Sequence, residues 1–372
     1  MSTPEPPGDG PIRLGRYSVL RHLGRGGMST VYRAYDPELD RQVALKLVTI
    51  DDPRDADGPA RLVREARAMA KISHPNVAPV YDVGLVEGAV FIAMELIEGP
   101  NLDTWLRECA RPWTEVTSMF MQAGRGLLAA HDVGLAHRDF KPDNVMVGPD
   151  GRARVLDFGL ARPTPPGEGI EDELLLEETE YEALILPEDP DDVDEDALAR
   201  LEASFAELQI QGEVPTQAGG HAGLDPRTDP TLGGVPPLGG VERLLQAESS
   251  GSFDLKVSVT HNGIVTGTPA YMAPEQHLGD AGGAAADQFA FCVSMWEGLY
   301  RQRPFHGHTF AEIACAIVDG DRRPAPSHTR VPGWLSALLE RGMDPDPRER
   351  HPSMRALLAS ISLSFRILHG LS

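Results

Sequence analysis

Apolar and polar positions alternate with a period of two around Val43, Leu45 and Leu47 of Gln42–Val48, and apolar residues are also dense in Tyr17–Leu23 and Val31–Tyr35. These stretches are rich in β-formers and separated by Gly or Asp/Pro, so they predict three strands. Between Pro59 and Lys71 the spacing becomes helical: Leu62, Glu65, Ala66 and Met69 fall on one face. Asp57 or Gly58 is the expected cap, with Pro59 in the first turn. Two further strands fit Val80–Val86 and Ala89–Glu95. From Leu102 onward helices dominate, interrupted by one hairpin, Val145–Val147 with Arg154–Leu156, around Gly148-Pro149-Asp150-Gly151. Ala286–Tyr300, Phe310–Asp319, Trp334–Met343 and Ser353–Ile367 read as helices. The order predicts an α+β, two-part chain, a small β-rich lobe followed by a larger, mainly helical lobe.

Charge changes that picture in one place. The 372 residues carry 34 basic and 56 acidic side chains, a formal charge of −22. From Thr164 to Asn262 there are 23 acids and 4 bases, and the remaining residues are nearly neutral with 33 and 30. The acidity therefore belongs to one internal segment. Within it, Leu198, Leu201, Phe205 and Leu208 keep helical spacing. Gln211–Gly251, with 14 Gly or Pro in 41 residues, has the composition of disordered sequence. Such a balance argues against nucleic acid as a partner, since phosphates demand basic surface. Cys109, Cys292 and Cys315 are too far apart for a disulfide framework or a Cys-x-x-Cys site, so a reducing compartment is expected. The first eleven residues lack a charged n-region and an apolar h-region, and no run approaches 18 apolar residues. The expectation is a cytoplasmic protein with no membrane span.

Three groups of residues suggest chemistry. Leu23-Gly24-Arg25-Gly26-Gly27-Met28-Ser29-Thr30-Val31 lies between two strands, and its glycines allow backbone N–H groups to approach phosphate oxygens. A dinucleotide-binding turn would need a helix after it rather than a strand. Alternation puts Lys46 on a strand face with Ala44, opposite Val43, Leu45 and Leu47. Glu65 lies within an apolar helical stripe, where a carboxylate needs a partner, and Lys46 is the expected one. The third group is His137-Arg138-Asp139-Phe140-Lys141-Pro142-Asp143-Asn144 with Asp157-Phe158-Gly159. Antiparallel pairing centred between Asp150 and Gly151 would bring Asn144 and Asp157 to the same end of the hairpin. An amide oxygen and a carboxylate there suit Mg²⁺ that also bears phosphate ligands. Asp139, on the adjoining loop, is placed to accept a hydroxyl proton.

The glycine loop, Val43-Ala44-Leu45-Lys46, Glu65, the His-Arg-Asp run, Asp-Phe-Gly and Met272-Ala273-Pro274-Glu275 occur in the order of the protein kinase signature set. The chain resembles the bacterial eukaryotic-like (Hanks-type) serine/threonine protein kinases from about Tyr17 to Leu368, apart from the acidic segment. The resemblance implies a bilobal kinase fold, with a flexible tail at 1–16, an N-lobe over about 17–98 and a C-lobe over about 99–368. It also implies ATP and Mg²⁺ as cofactors and proteins with Ser/Thr acceptors as substrates. Leu23, Gly24, Gly26 and Val31 would then cover ATP, with Val31 and Ala44 sandwiching adenine. Lys46, paired to Glu65, would contact the α- and β-phosphates. Met94 looks like the gatekeeper, with the backbone of Glu95 and Ile97 bonding the adenine edge. Asp139 would deprotonate the acceptor hydroxyl, Lys141 would stabilise the transferring phosphoryl group, and Asn144 and Asp157 would hold Mg²⁺. Thr268 would position the acceptor by bonding Asp139 and Lys141. Glu275 with Arg350 resembles the family's buried ion pair, and Asp287 the aspartate bracing the catalytic loop.

The sequence departs from the family pattern at Ser29 for a loop glycine, Phe140 for leucine, and Ala290 and Cys292 after Asp287. The largest departure is the insertion at 164–262, where the family has a much shorter activation segment. Loop entropy rises slowly with length, so the core tolerates it. It is expected to be a solvated spacer, a regulatory tether that occupies the cleft or docks a partner, or a small extra domain. Arg138 marks activation by loop phosphorylation, for which Thr260, Thr266 and Ser258 are the candidate sites. Regulatory input is expected through the insertion, the N-terminal tail or a separate partner. A non-catalytic kinase-like scaffold is the alternative function. A small-molecule kinase is disfavoured by Gly267 to Gln276, which resembles a peptide-binding segment.

Overall fold

A computed structural model describes residues 12–25, 29–48, 58–86, 89–158 and 268–369. The insertion at 164–262, the candidate phosphosites Thr260, Thr266 and Ser258, Gly26 and Asp57 lie outside the described residues. The chain begins with β1 (Arg13–Leu14), β2 (Tyr17–Arg25), β3 (Ser29–Asp36) and β4 (Arg41–Val48). Helix α1 (Gly58–Met69) follows, then β5 (Val80–Val86) and β6 (Ala89–Glu95). The six strands form one antiparallel sheet in the order β1-β2-β3-β4-β6-β5. Two expectations shift here. Residues 12–16 are not tail, because β1 pairs with Tyr17 and Ser18 and Val19 N donates to Ile12 O. Gly58 lies inside α1 rather than capping it.

The alternation in β4 is real, although both faces are covered. Val43 and Leu45 join Tyr17, Ala34 and Ala93 in a small cluster on one side. Ala44 and Val48 face the other way, into a core shared with Leu62, Ala66 and Met69 of α1 and with the helical lobe. Lys46 is only 7% exposed, so its ammonium points into protein rather than solvent.

The second lobe contains α2 (Leu102–Glu108), α3 (Trp113–His131) and the hairpin β7 (Val145–Val147) with β8 (Ala153–Val155). After residue 267 come the short α4 (Pro274–His277), α5 (Ala284–Tyr300), α6 (Phe310–Val318), α7 (Gly333–Gly342) and α8 (Met354–His369). Asn101 caps α2 by accepting from Thr104 N, and Thr309 caps α6 by accepting from Glu312 N. Helix α5 is apolar nearly all round, which fits its place at the centre of the lobe. Phe289, Phe291, Met295 and Trp296 are each at most 1% exposed, worth roughly 1.5–3 kcal/mol apiece in burial. Gly126 of α3 lets two backbones meet, since a Cβ there would lie 2.4 Å from Asn76 O. No helix among the described residues is long and apolar enough to cross a membrane.

The hairpin corrects one expectation. Its register pairs Val145 with Val155 and Val147 with Ala153, one residue away from the predicted second strand. The loop holds five residues, closed by Gly148 N donating to Arg152 O, so Asp150 alone is its centre. Asn144 therefore faces Leu156, whose N–H donates to Asn144 O at 2.8 Å, and Asp157 lies one step beyond.

Candidate active site

The sheet supplies one side of the candidate site. Val31 pairs with Gly24 on one side and with Lys46 on the other, and Ala44 pairs with Met94. Val31 and Ala44 both border the large core, while Leu23 is 40% exposed at the rim. Leu96 to Pro100 then leads from β6 to the helical lobe. Lys46 Nζ lies 2.8 Å from Asp157 Oδ1, which joins the sheet to the segment after β8. Glu65 is half-buried on α1 among Leu62, Ala66 and Met69, the face the spacing assigned to it.

The loop before β7 is built on one buried carboxylate. Asp287, fully buried in the first turn of α5, accepts from His137 N and Arg138 N, both at 2.6 Å, and contacts His131 Nε2 at 2.8 Å. Burying a charge without partners would be costly, and here three groups satisfy it. Arg138 adopts a left-handed conformation (φ 62°), as does Asp157 (φ 59°). A non-glycine residue there carries a conformational penalty that surrounding contacts must hold. His137 contributes by contacting Leu156 O at 2.7 Å, which ties the loop to the second strand of the hairpin.

On that base the polar side chains converge. Lys141 Nζ donates to Asp139 Oδ2 at 2.8 Å. Asn144 Nδ2 donates to Asp139 O at 2.8 Å and approaches Asp139 Oδ2 at 3.3 Å. Because the amide nitrogen is the donor, Asn144 Oδ1 is the atom offered on the other side. A hard cation is suited by that oxygen and the Asp157 carboxylate, with phosphate oxygens completing its shell. The donor set therefore fits Mg²⁺, although the one-residue register shift makes the pair less symmetric than expected.

Other contacts hold the segment after residue 268. Arg350, whose side chain has no exposed surface, grips Glu275 with two parallel bonds of 2.8 Å and also donates to Ala285 O and Asp344 O. Tyr271 donates to Glu297 Oε2 at 2.6 Å, and burial, then the neighbouring carboxylate, push its phenol well above the usual range. Asp143 is raised as well, by burial and then by Asp103. Thr268 opens the 3₁₀ turn Thr268–Tyr271.

Sequence reasoning missed two sets of contacts. One lies behind the link between the lobes, where a cavity of about 430 Å³ is lined by charged groups from both lobes. Arg154 reaches Glu95 at 3.3 Å and Asp150 at 2.8 Å, while Arg33 reaches Glu98 at 2.9 Å. The other is Gln276, buried against the backbone of Arg138. Neither has a periodic signature. Glu95 and Ile97 both border this rear cavity, and the Glu95 N–H donates to Pro79 O at 3.0 Å.

Comparison with known proteins agrees with this geometry. Residues 17–178 match the protein kinase domain family. The serine/threonine-protein kinase PknE of Mycobacterium bovis is 39% identical over 94% of this chain and 46% of its own length. PknD of Chlamydia pneumoniae is 28% identical over 93% of this chain and 31% of its own length. The kinase pkn2 of Myxococcus xanthus is 27% identical over 96% and 34%. The chain spans less than half the length of these relatives.

Proposed function

We propose that this chain, a member of the bacterial serine/threonine protein kinases, transfers the γ-phosphate of ATP to Ser/Thr hydroxyls of proteins. The observation that carries this reading is the convergence of Lys141 and Asn144 on Asp139, with Lys46 bridged to Asp157. Asp139 orients the acceptor hydroxyl and takes its proton. The acceptor oxygen bonds to the γ-phosphorus while the bond from that phosphorus to the ADP oxygen breaks. Lys141 neutralises charge on the group in transit, and Lys46 holds the α- and β-phosphates, with Glu65 as its expected partner. Asn144 and Asp157 would hold Mg²⁺, which when bound would neutralise negative charge on the phosphates. Leu23, Gly24, Gly26, Val31 and Ala44 would enclose the nucleotide, and the backbones of Glu95 and Ile97 would bond adenine. Thr268 would hold the acceptor side. Little covalent chemistry falls to the protein, so the rate depends on positioning and electrostatics.

The same reading makes residues 164–262 an insertion in the activation segment, with Thr260, Thr266 and Ser258 as candidate autophosphorylation sites and a regulatory partner as its possible occupant. Its 23 acids against 4 bases support a regulatory tether that competes for the cleft. The proposed location is the cytoplasm, supported by the demand for ATP and by cysteines set too far apart in sequence for a disulfide framework. Intact mass after incubation with Mg-ATP tests the activity, with Asp139→Asn alongside. Mass steps of one phosphate in the wild type alone are expected. No step in either protein, with a Ser/Thr-containing acceptor present, would leave the non-catalytic scaffold.

A further inference from the structure

Gln276 is a buried side chain, 6% exposed, in the short helix α4, next to the Glu275 held by Arg350. Its amide is used on both sides. Oε1 accepts from Ala273 N at 3.1 Å, and Nε2 donates to Arg138 O at 3.0 Å and to Ala281 O at 3.4 Å. The second of these bonds spans 138 positions of sequence and ends on the peptide that leads directly into Asp139.

Arg138 is thereby held at every polar group of its main chain. Its N–H goes to Asp287 and its carbonyl to Gln276, while its side-chain Nε donates to Gly282 O at 3.0 Å. This is one of the left-handed residues of the site, so the conformation lasts only while those contacts hold it. Gly282 belongs to the same arrangement. A Cβ there would lie 2.8 Å from Gln276 Cγ and 2.9 Å from Gln276 Nε2, so a side chain at 282 would displace the amide. Arg138, Asp139, Gln276 and Ala286 also line one shallow depression, which puts the lock beside the reacting group.

We infer that Gln276 is a positioning residue for phosphoryl transfer: it fixes the Arg138 peptide, and through it the Asp139 carboxylate, from the segment that would carry the acceptor peptide. This inference rests on Asp139 being the base proposed above. Its chemical content is directional. The Arg138 carbonyl needs a donor, and of the two amide atoms only Nε2 can supply one. A carboxylate of the same shape keeps the bond from Ala273 N and presents an acceptor to an acceptor.

Gln276→Glu is therefore the informative variant, compared with wild type and Asp139→Asn using Mg-ATP and a Ser/Thr peptide. We expect kcat to fall about 10- to 100-fold, the effect of a misplaced reacting group, with KM for ATP changed less than about twofold. Lowering the pH from 8 to 6 should raise the Gln276→Glu to wild-type rate ratio, because a protonated carboxyl can again donate to the Arg138 carbonyl. A merely structural role predicts a lower melting temperature with kcat retained in the folded fraction, and no such pH trend. Gln276→Leu, which keeps the bulk but offers the Arg138 carbonyl no donor, should lower kcat in the same way without the pH trend and serves if the Glu variant does not fold. Wild-type kcat in both variants would overturn the inference and leave the kinase reading standing. Absence of transfer in the wild type would remove both.

Discussion

Replacing Asp287 by Asn removes one charge and one acceptor atom from the base of the loop that carries Asp139. In the native arrangement Oδ2 serves His137 N and His131 Nε2, and Oδ1 serves Arg138 N. Asparagine has a single acceptor oxygen, so its NH₂ group must face at least one of these donors. One bond to a charged group, worth about 1.5–3 kcal/mol, is lost, and those that remain lose their ionic assistance. Relief from burying a charge offsets part of this, which leaves a destabilisation of about 2–4 kcal/mol. For a domain of this size that corresponds to roughly 5–15 °C in melting temperature. Urea unfolding followed by tryptophan fluorescence should show a lower midpoint at unchanged slope. The loosened Arg138 peptide should also lower kcat about 100-fold while KM for ATP moves little. Asp132→Asn is the matched control, because Asp132 pairs with Arg355 on the surface and its loss should cost under about 1 kcal/mol. A variant at Asp287 that matches wild type within about 0.5 kcal/mol and twofold in kcat would refute the reasoning.

Lys46→Met keeps the length of a nearly buried side chain while deleting the charge beside Asp157, so phosphate incorporation by intact mass should fall at least about 100-fold with little change in melting temperature. Arg350→Ala strands Glu275 in a mostly buried site, and a loss of about 3–5 kcal/mol in urea unfolding is expected; Arg350→Lys should recover only part of it, since an ammonium cannot make the paired bonds. His351 is held neutral by burial, its pKa depressed to about 4 from 6.5, while its ring contacts Leu338 O. The unfolded chain then binds the proton first, so stability is full above about pH 6.5 and declines toward pH 4, by at most about 3 kcal/mol. His351→Gln should flatten the dependence of the urea midpoint over that window, and an unchanged slope would show that other groups set it.

Much of this site could be read before any coordinates. Lys46 stood out because alternation put it on a face with Ala44, and Glu65 because it interrupted an apolar stripe; both faces are where the spacing put them. Asp139, Asn144 and Asp157 are near in sequence, so a hairpin alone was enough to gather them. The hairpin register was harder to read, because a Gly-rich turn admits loops of several lengths and one residue of slip changes which side chains oppose. Gln276, His131 and Arg154 were not legible at all. Each acts through a contact with backbone or charge far away in the chain, and neither period two nor period 3.6 encodes such a partner. Asp287 was found only through the family resemblance, although a carboxylate in the first turn of a largely apolar helix is a signal in its own right.

Four non-glycine residues among those described have positive φ, namely Asp40, Arg138, Asp157 and Arg301. Arg301 caps the end of α5 and Asp40 sits in a surface turn, places where glycine is at home. Two different selections would therefore write different sequences on this fold. Variants sorted for heat resistance alone should drift toward glycine at Asp40, Arg138 and Arg301, whereas variants sorted for turnover should drift at Asp40 and Arg301 and stay fixed at Arg138; Asp157 stays fixed in both, because its carboxylate partners the nearly buried Lys46. The divergence between those two populations, at Arg138, would mark the catalytic centre without any ligand, as a position where endurance and work ask for different residues.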